Sequence, residues 1–137
     1  MESMIMAKQP VSMLLVEDEN TNRELLYTIL TKKYPDLLFQ AAINGRTGLE
    51  LFKTHQPDIV ITDVNMPEMG GVQMAERILA IKPNTKFIVL TGDCGKNISQ
   101  DSAAKGVEID HCITKPVSFA ELFAAIEQCL GEIAQQN

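Results

Sequence analysis

Two apolar runs in this sequence end in carboxylates. Glu17, Asp18 and Glu19 follow the run that starts at Val11, and Asp63 closes Ile59-Val60-Ile61-Thr62. Two further runs end in a hydroxyl, Thr91, and an ammonium, Lys115. Acidic side chains together with a backbone carbonyl offer oxygen ligands to a hard divalent cation such as Mg2+, which keeps few protein ligands, several waters and a phosphate oxygen. A lysine and a hydroxyl opposite them meet the other oxygens of a phosphoryl group. Asp63 stands between the two sets, where a carboxylate nucleophile forming an aspartyl phosphate has to be. No general base is needed, because a carboxylate with a reference pKa of about 3.9 is already ionised near neutrality.

These residues are useful to one another only if their strands run the same way. Residues 59–63 are nearly all β-branched and show no helical spacing, which suits a strand buried on both faces. Pro67, Gly70 and Gly71 then take the chain out of the sheet. Similar short runs are read at 11–17, 37–42, 86–91 and 109–114. Between and after them lie helices opening near Asn20, at Asn44-Gly45, before Val72 and near Asn97, and a last one capped by Ser118 with Glu121. Strand and helix thus alternate five times, a pattern that implies right-handed crossovers and a parallel sheet covered on both sides. All five strand ends then share one rim. Capping the first helix needs one acidic or amide residue, so three carboxylates in four residues are a self-repelling excess unless a cation sits among them.

With 137 residues, 45% of them apolar and 22% charged, the chain has the usage of one globular domain. Its boundaries are read as a lead-in over 1–10, the domain over 11–132 and a tail over 133–137. A formal charge of −6 argues against a binder of nucleic-acid backbone. No run is apolar and long enough for a membrane span or a signal sequence. Cys94, Cys112 and Cys129 are odd in number and lack C-x-x-C or zinc-finger spacing, so they read as free thiols of a cytoplasmic protein.

The segments Leu15-Val16-Glu17-Asp18-Glu19, Asp63-Val64-Asn65-Met66-Pro67-Glu68-Met69-Gly70-Gly71, Val89-Leu90-Thr91 and Thr114-Lys115-Pro116 resemble the receiver domain of two-component response regulators, in the class of the stand-alone chemotaxis receiver. The resemblance implies a (βα)5 flavodoxin-like, doubly wound α/β fold with strand order 2-1-3-4-5. It also implies roles. Asp63 matches the phosphoacceptor, Asp18 a direct Mg2+ ligand, Glu17 a water-mediated one, and Asn65 the position lending its backbone carbonyl. Thr91 and Lys115 match the hydroxyl and the ammonium that meet the phosphoryl group, while Asn65 and Asp93 stand where the lifetime of the acyl phosphate is tuned. The implied partners are a histidine kinase or histidine phosphotransfer protein and an unnamed output partner, with the receiver a monomer or weak homodimer.

Two positions depart from the family's pattern: Glu17 stands where Asp is commoner, a longer arm that still serves through water, and the second lies on the fifth strand. Cys112, beside His111, stands where an aromatic switch residue is usual, which leaves two routes for the signal: His111 substitutes, or the loop from Thr91 to Gly95 moves with the helix after it. Two other classes fit the residues less well. A flavin-binding module of the same fold needs a Gly/Ser/Thr-rich phosphate cradle where this chain has Glu17-Asp18-Glu19. An aspartate-nucleophile phosphatase needs an acid/base carboxylate two residues after its nucleophile, where this chain has the non-titrating Asn65.

Overall fold

A computed structural model of the protein describes residues 10–136, with Lys96, Asn97 and Ser99 described by their backbone alone. Five strands, β1 Ser12–Val16, β2 Leu38–Ala42, β3 Ile59–Asp63, β4 Lys86–Thr91 and β5 His111–Thr114, alternate with five helices. The helices are α1 Asn20–Lys33, α2 Gly45–His55, α3 Gly71–Ile81, α4 Lys96–Ala104 and α5 Phe119–Gln136. The strands form one sheet in the order β2-β1-β3-β4-β5, and every neighbouring pair is parallel. This is the doubly wound topology expected of the sequence. The lead-in over 1–10 lies outside the described residues except for Pro10. The last helix runs past residue 132 to Gln136 with Ile133 buried, so the segment read as a tail continues the helix.

Side-chain alternation sorts the core into two layers. Met13 and Leu15, Ile59 and Ile61, and Ile88 and Leu90 face α1 and α5, meeting Leu26, Leu30, Leu122, Ile126 and Cys129. Leu14 and Val16, Val60 and Phe87 face the other way, onto Leu49 and Phe52 of α2 and Val72, Met74 and Ile78 of α3. Two-sided burial explains the uninterrupted apolar character of β3, all five of whose residues are buried. In α4, Ser102 is the one buried residue among the described side chains.

Local devices set where each helix begins. Glu19 caps α1, its carboxylate accepting from Asn22 N at 2.7 Å, so capping uses neither Glu17 nor Asp18. Asn44 and Thr47 form a reciprocal capping box on α2. At the end of β3 the left-handed turn residue is Glu68, with φ of 67°, while Gly70 is extended. The glycine that the turn requires is Gly71, for a reason of space. A Cβ there would stand 2.2 Å from the backbone oxygen of Asp63, so only glycine lets α3 begin directly against the end of β3.

Candidate functional site

The two edges of the sheet treat their carboxylates differently. At the amino edge, Asp58 accepts from Ser12 N at 3.1 Å and pairs with Lys82 at 2.9 Å, and Asp110 accepts from Phe87 N at 2.7 Å. Those acids are matched to backbone donors and lysines. At the carboxyl edge, Glu17, Asp18 and Asp63 present oxygens that all lie within 4.8 Å of one another. Glu17 and Asp63 are 1% and 3% exposed, so two of the three carboxylates are buried side by side.

Glu17 and Asp18 are placed by the end of β1 and Asp63 by the end of β3. Glu17 follows β1, its backbone N–H bonded to Ala42 O at 3.1 Å and its Oε2 accepting from Glu19 N at 3.0 Å. Asp63 ends β3 in register with Leu90 of β4. Thr91 is one residue beyond that partner, buried, and Asp93 N donates to its hydroxyl at 3.4 Å. Lys115 N bonds Thr91 O at 2.6 Å, which carries the chain from β5 onto the rim across a cis Lys115–Pro116 peptide bond. Its ammonium pairs with Asp63 Oδ1 and lies 3.8 Å from Glu17 Oε1.

The electrostatics follow from this crowding. Burial, then the neighbouring Asp63 carboxyl, pushes the Glu17 pKa up to about 7, against an ordinary value of 4.5. For Lys115, partial burial acts to lower the pKa, but the Asp63 carboxylate outweighs it and the net shift is upward. One ammonium faces three acids. Asp63 Oδ1 is buried with the Lys115 ammonium as its ion-pair partner. An all-oxygen donor set and surplus negative charge, with two of the three carboxylates buried, together fit a small hard dication such as Mg2+. Asp18 and Asn65 are exposed and complete the rim on its solvent side.

Glu17 and Asp18 after β1, Asp63 of β3, Thr91 of β4 and Lys115 after β5 are therefore gathered on one rim. The cysteines depart from the reading as free thiols. Cys94, in the loop after β4, is joined to Cys112 of β5 by a disulfide, and only Cys129 is free. Their separation of 18 residues carries no motif, so parallel pairing of β4 with β5 had to be known before the two could be matched. His111 lies beside the bond in the same surface depression.

The sequence model of the family described as the response regulator receiver domain matches residues 13–127. A probable chemotaxis protein CheY from Rhizobium etli is 30% identical over 128 residues, covering 91% of this chain and 96% of that protein. The transcriptional regulatory protein YesN of Bacillus subtilis, itself described as uncharacterized, is 32% identical over 100 residues, which are 73% of this chain and 27% of YesN. The match thus spans about a quarter of that longer protein. Among solved structures, a CheY-like receiver domain protein from Methanospirillum hungatei superposes with a TM-score of 0.82 over 94% of this chain and all of the other, a likeness of fold at 23% identity. Among the described residues no helix is long and apolar enough to cross a membrane. With its sheet order, its acidic rim and the matched residues in agreement, the chain belongs to the response regulator receiver domains of two-component signalling.

Proposed function

We propose that Asp63 accepts a phosphoryl group from a phosphohistidine on a histidine kinase or histidine phosphotransfer protein, and that the transfer switches the surface built from the last two strands and helices. The supporting observation is the placement of Asp63: buried, paired with Lys115 and flanked by the Glu17 and Asp18 carboxylates. A carboxylate oxygen of Asp63 attacks phosphorus in line, the P–O bond forms as the P–N bond to imidazole breaks, and the imidazole departs with its electron pair and takes a proton. The chain's part is positioning and charge compensation, the main requirements of phosphoryl transfer. Lys115 exchanges part of its pairing with Asp63 for the phosphoryl oxygens, and the Thr91 hydroxyl donates to another of them. Asp18 and Asp63 directly, Glu17 through water and Asn65 through its carbonyl would hold Mg2+, which when bound neutralises charge on the phosphoryl oxygens.

The donor's docking surface is placed on α1 and the segment after Lys115. A cavity of 340 Å³ opens there beside Glu17, lined by Leu25, Leu26, Pro116, Val117 and Phe119, and Leu25 is half exposed. An apolar patch next to a buried nucleophile suits a helical partner presenting a histidine. The protein is placed in the cytoplasm, where such kinases present their phosphohistidines.

Incubation with Mg2+ and acetyl phosphate or phosphoramidate, read by intact mass, tests this reading. Wild type gains one phosphoryl mass and Asp63→Asn gains none. An equal gain in Asp63→Asn, or none in wild type with Mg2+ present, overturns it.

A further inference from the structure

Cys94 and Cys112 are not among the rim residues, yet their bond closes a ring around one of them, Thr91. Cys112 is the register partner of Val89, two residues before Thr91 on β4, and Cys94 lies three residues beyond Thr91. The disulfide therefore joins the two ends of a short circuit that contains Thr91 and Asp93. It also fastens the loop leading into α4 to the edge strand β5, with Cα atoms 5.9 Å apart. Ser102 is the one buried residue among the described side chains of α4, and the disulfide adds a covalent tie between the loop before that helix and the sheet.

The bond is reachable. Both cysteines are only partly buried, and they border an open cavity of 220 Å³ shared with Ile98, Ile109, Asp110 and His111. Cys129 provides the contrast within the same chain: it is wholly buried in the core, and burial pushes its thiol up to about 12. In the cytoplasmic location proposed above, a reducing compartment keeps an accessible disulfide transient.

We propose that Cys94 and Cys112 are a reversible thiol–disulfide site that exchanges with small disulfides of the glutathione class, and that its oxidised form pins the Thr91–Gly95 loop to β5. In oxidation, the thiolate of one cysteine attacks the small disulfide and releases one small thiol, leaving a mixed disulfide. The second cysteine's thiolate then attacks the protein sulfur and releases the other. Two electrons pass from the cysteine pair to the small disulfide, and the two protons go to the departing thiolates. Reduction runs the same steps backward. The consequence for phosphoryl switching rests on Asp63 being the acceptor, whereas the redox site itself does not.

The test uses the full chain in buffers of graded reduced-to-oxidised glutathione ratio, read by intact mass, thiol counting and hydrogen exchange. The expected result is one reversible transition in which the folded protein loses two hydrogens, with amide exchange over residues 92–100 slowing on the order of tenfold on oxidation. Cys112→Ser abolishes both effects and Cys129→Ser keeps both. A pair that stays reduced in fully oxidised buffer, a bond opened only by unfolding, or loop exchange identical in the two forms overturns the site. Beryllium fluoride, a phosphoryl mimic, should alter exchange over the same loop in reduced protein and much less in oxidised protein; an equal response overturns the coupling. If acetyl phosphate fails to modify Asp63 while the redox transition persists, the phosphoacceptor reading fails and the thiol site stands.

Discussion

Glu17 makes the acidic rim measurable without any partner protein. A carboxyl that moves from an ordinary 4.5 in the unfolded chain to about 7 in the fold holds its proton more tightly when folded. Its contribution to stability is complete below the unfolded value and is lost as pH rises through the folded one. At about 1.4 kcal/mol per pH unit this amounts to about 3 kcal/mol, most of it lost between about pH 5 and about pH 8. For a chain of this length that is a fall in Tm on the order of 10 °C in cation-free buffer. Under the proposed function Mg2+ bound among Glu17, Asp18 and Asp63 would replace the proton as the compensating charge, so saturating Mg2+ should raise Tm strongly near pH 8 and little near pH 5. Asp110 is also shifted upward by burial and adds to the same slope, but it bonds Phe87 N at the far edge of the sheet and is indifferent to the cation. Differential scanning fluorimetry across pH, with Mg2+ or with chelator, separates the two. The Mg2+-free slope should flatten in Glu17→Gln. A Mg2+ effect equal at both pH extremes, or an unchanged slope in Glu17→Gln, would refute the account of the rim.

Three other substitutions probe how the site is held. Lys115→Met removes the ammonium that competes for Asp63 Oδ1, so Mg2+ should bind more tightly by calorimetry while acceptance from acetyl phosphate slows. Gly71→Ala forces a methyl against the Asp63 carbonyl and should cost about 1–3 kcal/mol in urea unfolding, with slower phosphoryl acceptance because Asp63 is displaced. Asn44→Ala deletes one half of the α2 capping box and should cost about 1 kcal/mol while leaving acceptance unchanged, which makes it the control for a purely structural loss.

Much of this molecule is legible along the chain. β3 and β4 fall where the apolar runs place them, at 59–63 and 86–91, because a strand buried on both faces leaves no room for polar interruption. The other three strands are shorter than read, β1 by one residue at each end, β2 by one and β5 by two at the start, although Val11, Glu17 and Asp110 still make backbone hydrogen bonds to the neighbouring strands. Asp63, Thr91 and Lys115 are readable as rim residues for the same reason: a polar side chain at a strand's carboxyl end, followed by a turn, has few other places to go. The turn after β3 is read less well. Its pair of glycines suggests strained backbone at Gly70 and Gly71, whereas Glu68 takes the left-handed conformation and Gly71 is needed for lack of a side chain. Residues in a motif can be recognised before the force that selects each one is known.

What the sequence determined by itself is local: which segments are strands, which are helices, and which polar residues end them. Those follow from interactions within a few residues, namely apolar periodicity, caps and turn chemistry. What the tertiary structure alone decided concerns residues far apart in the chain. The burial of Glu17 that raises its pKa, the pairing of Lys115 with Asp63, and the bond from Cys94 to Cys112 all depend on β1 lying beside β3 and β4 lying beside β5. Charge, solvent exclusion and thiol proximity act through space, and only the folded sheet sets those distances.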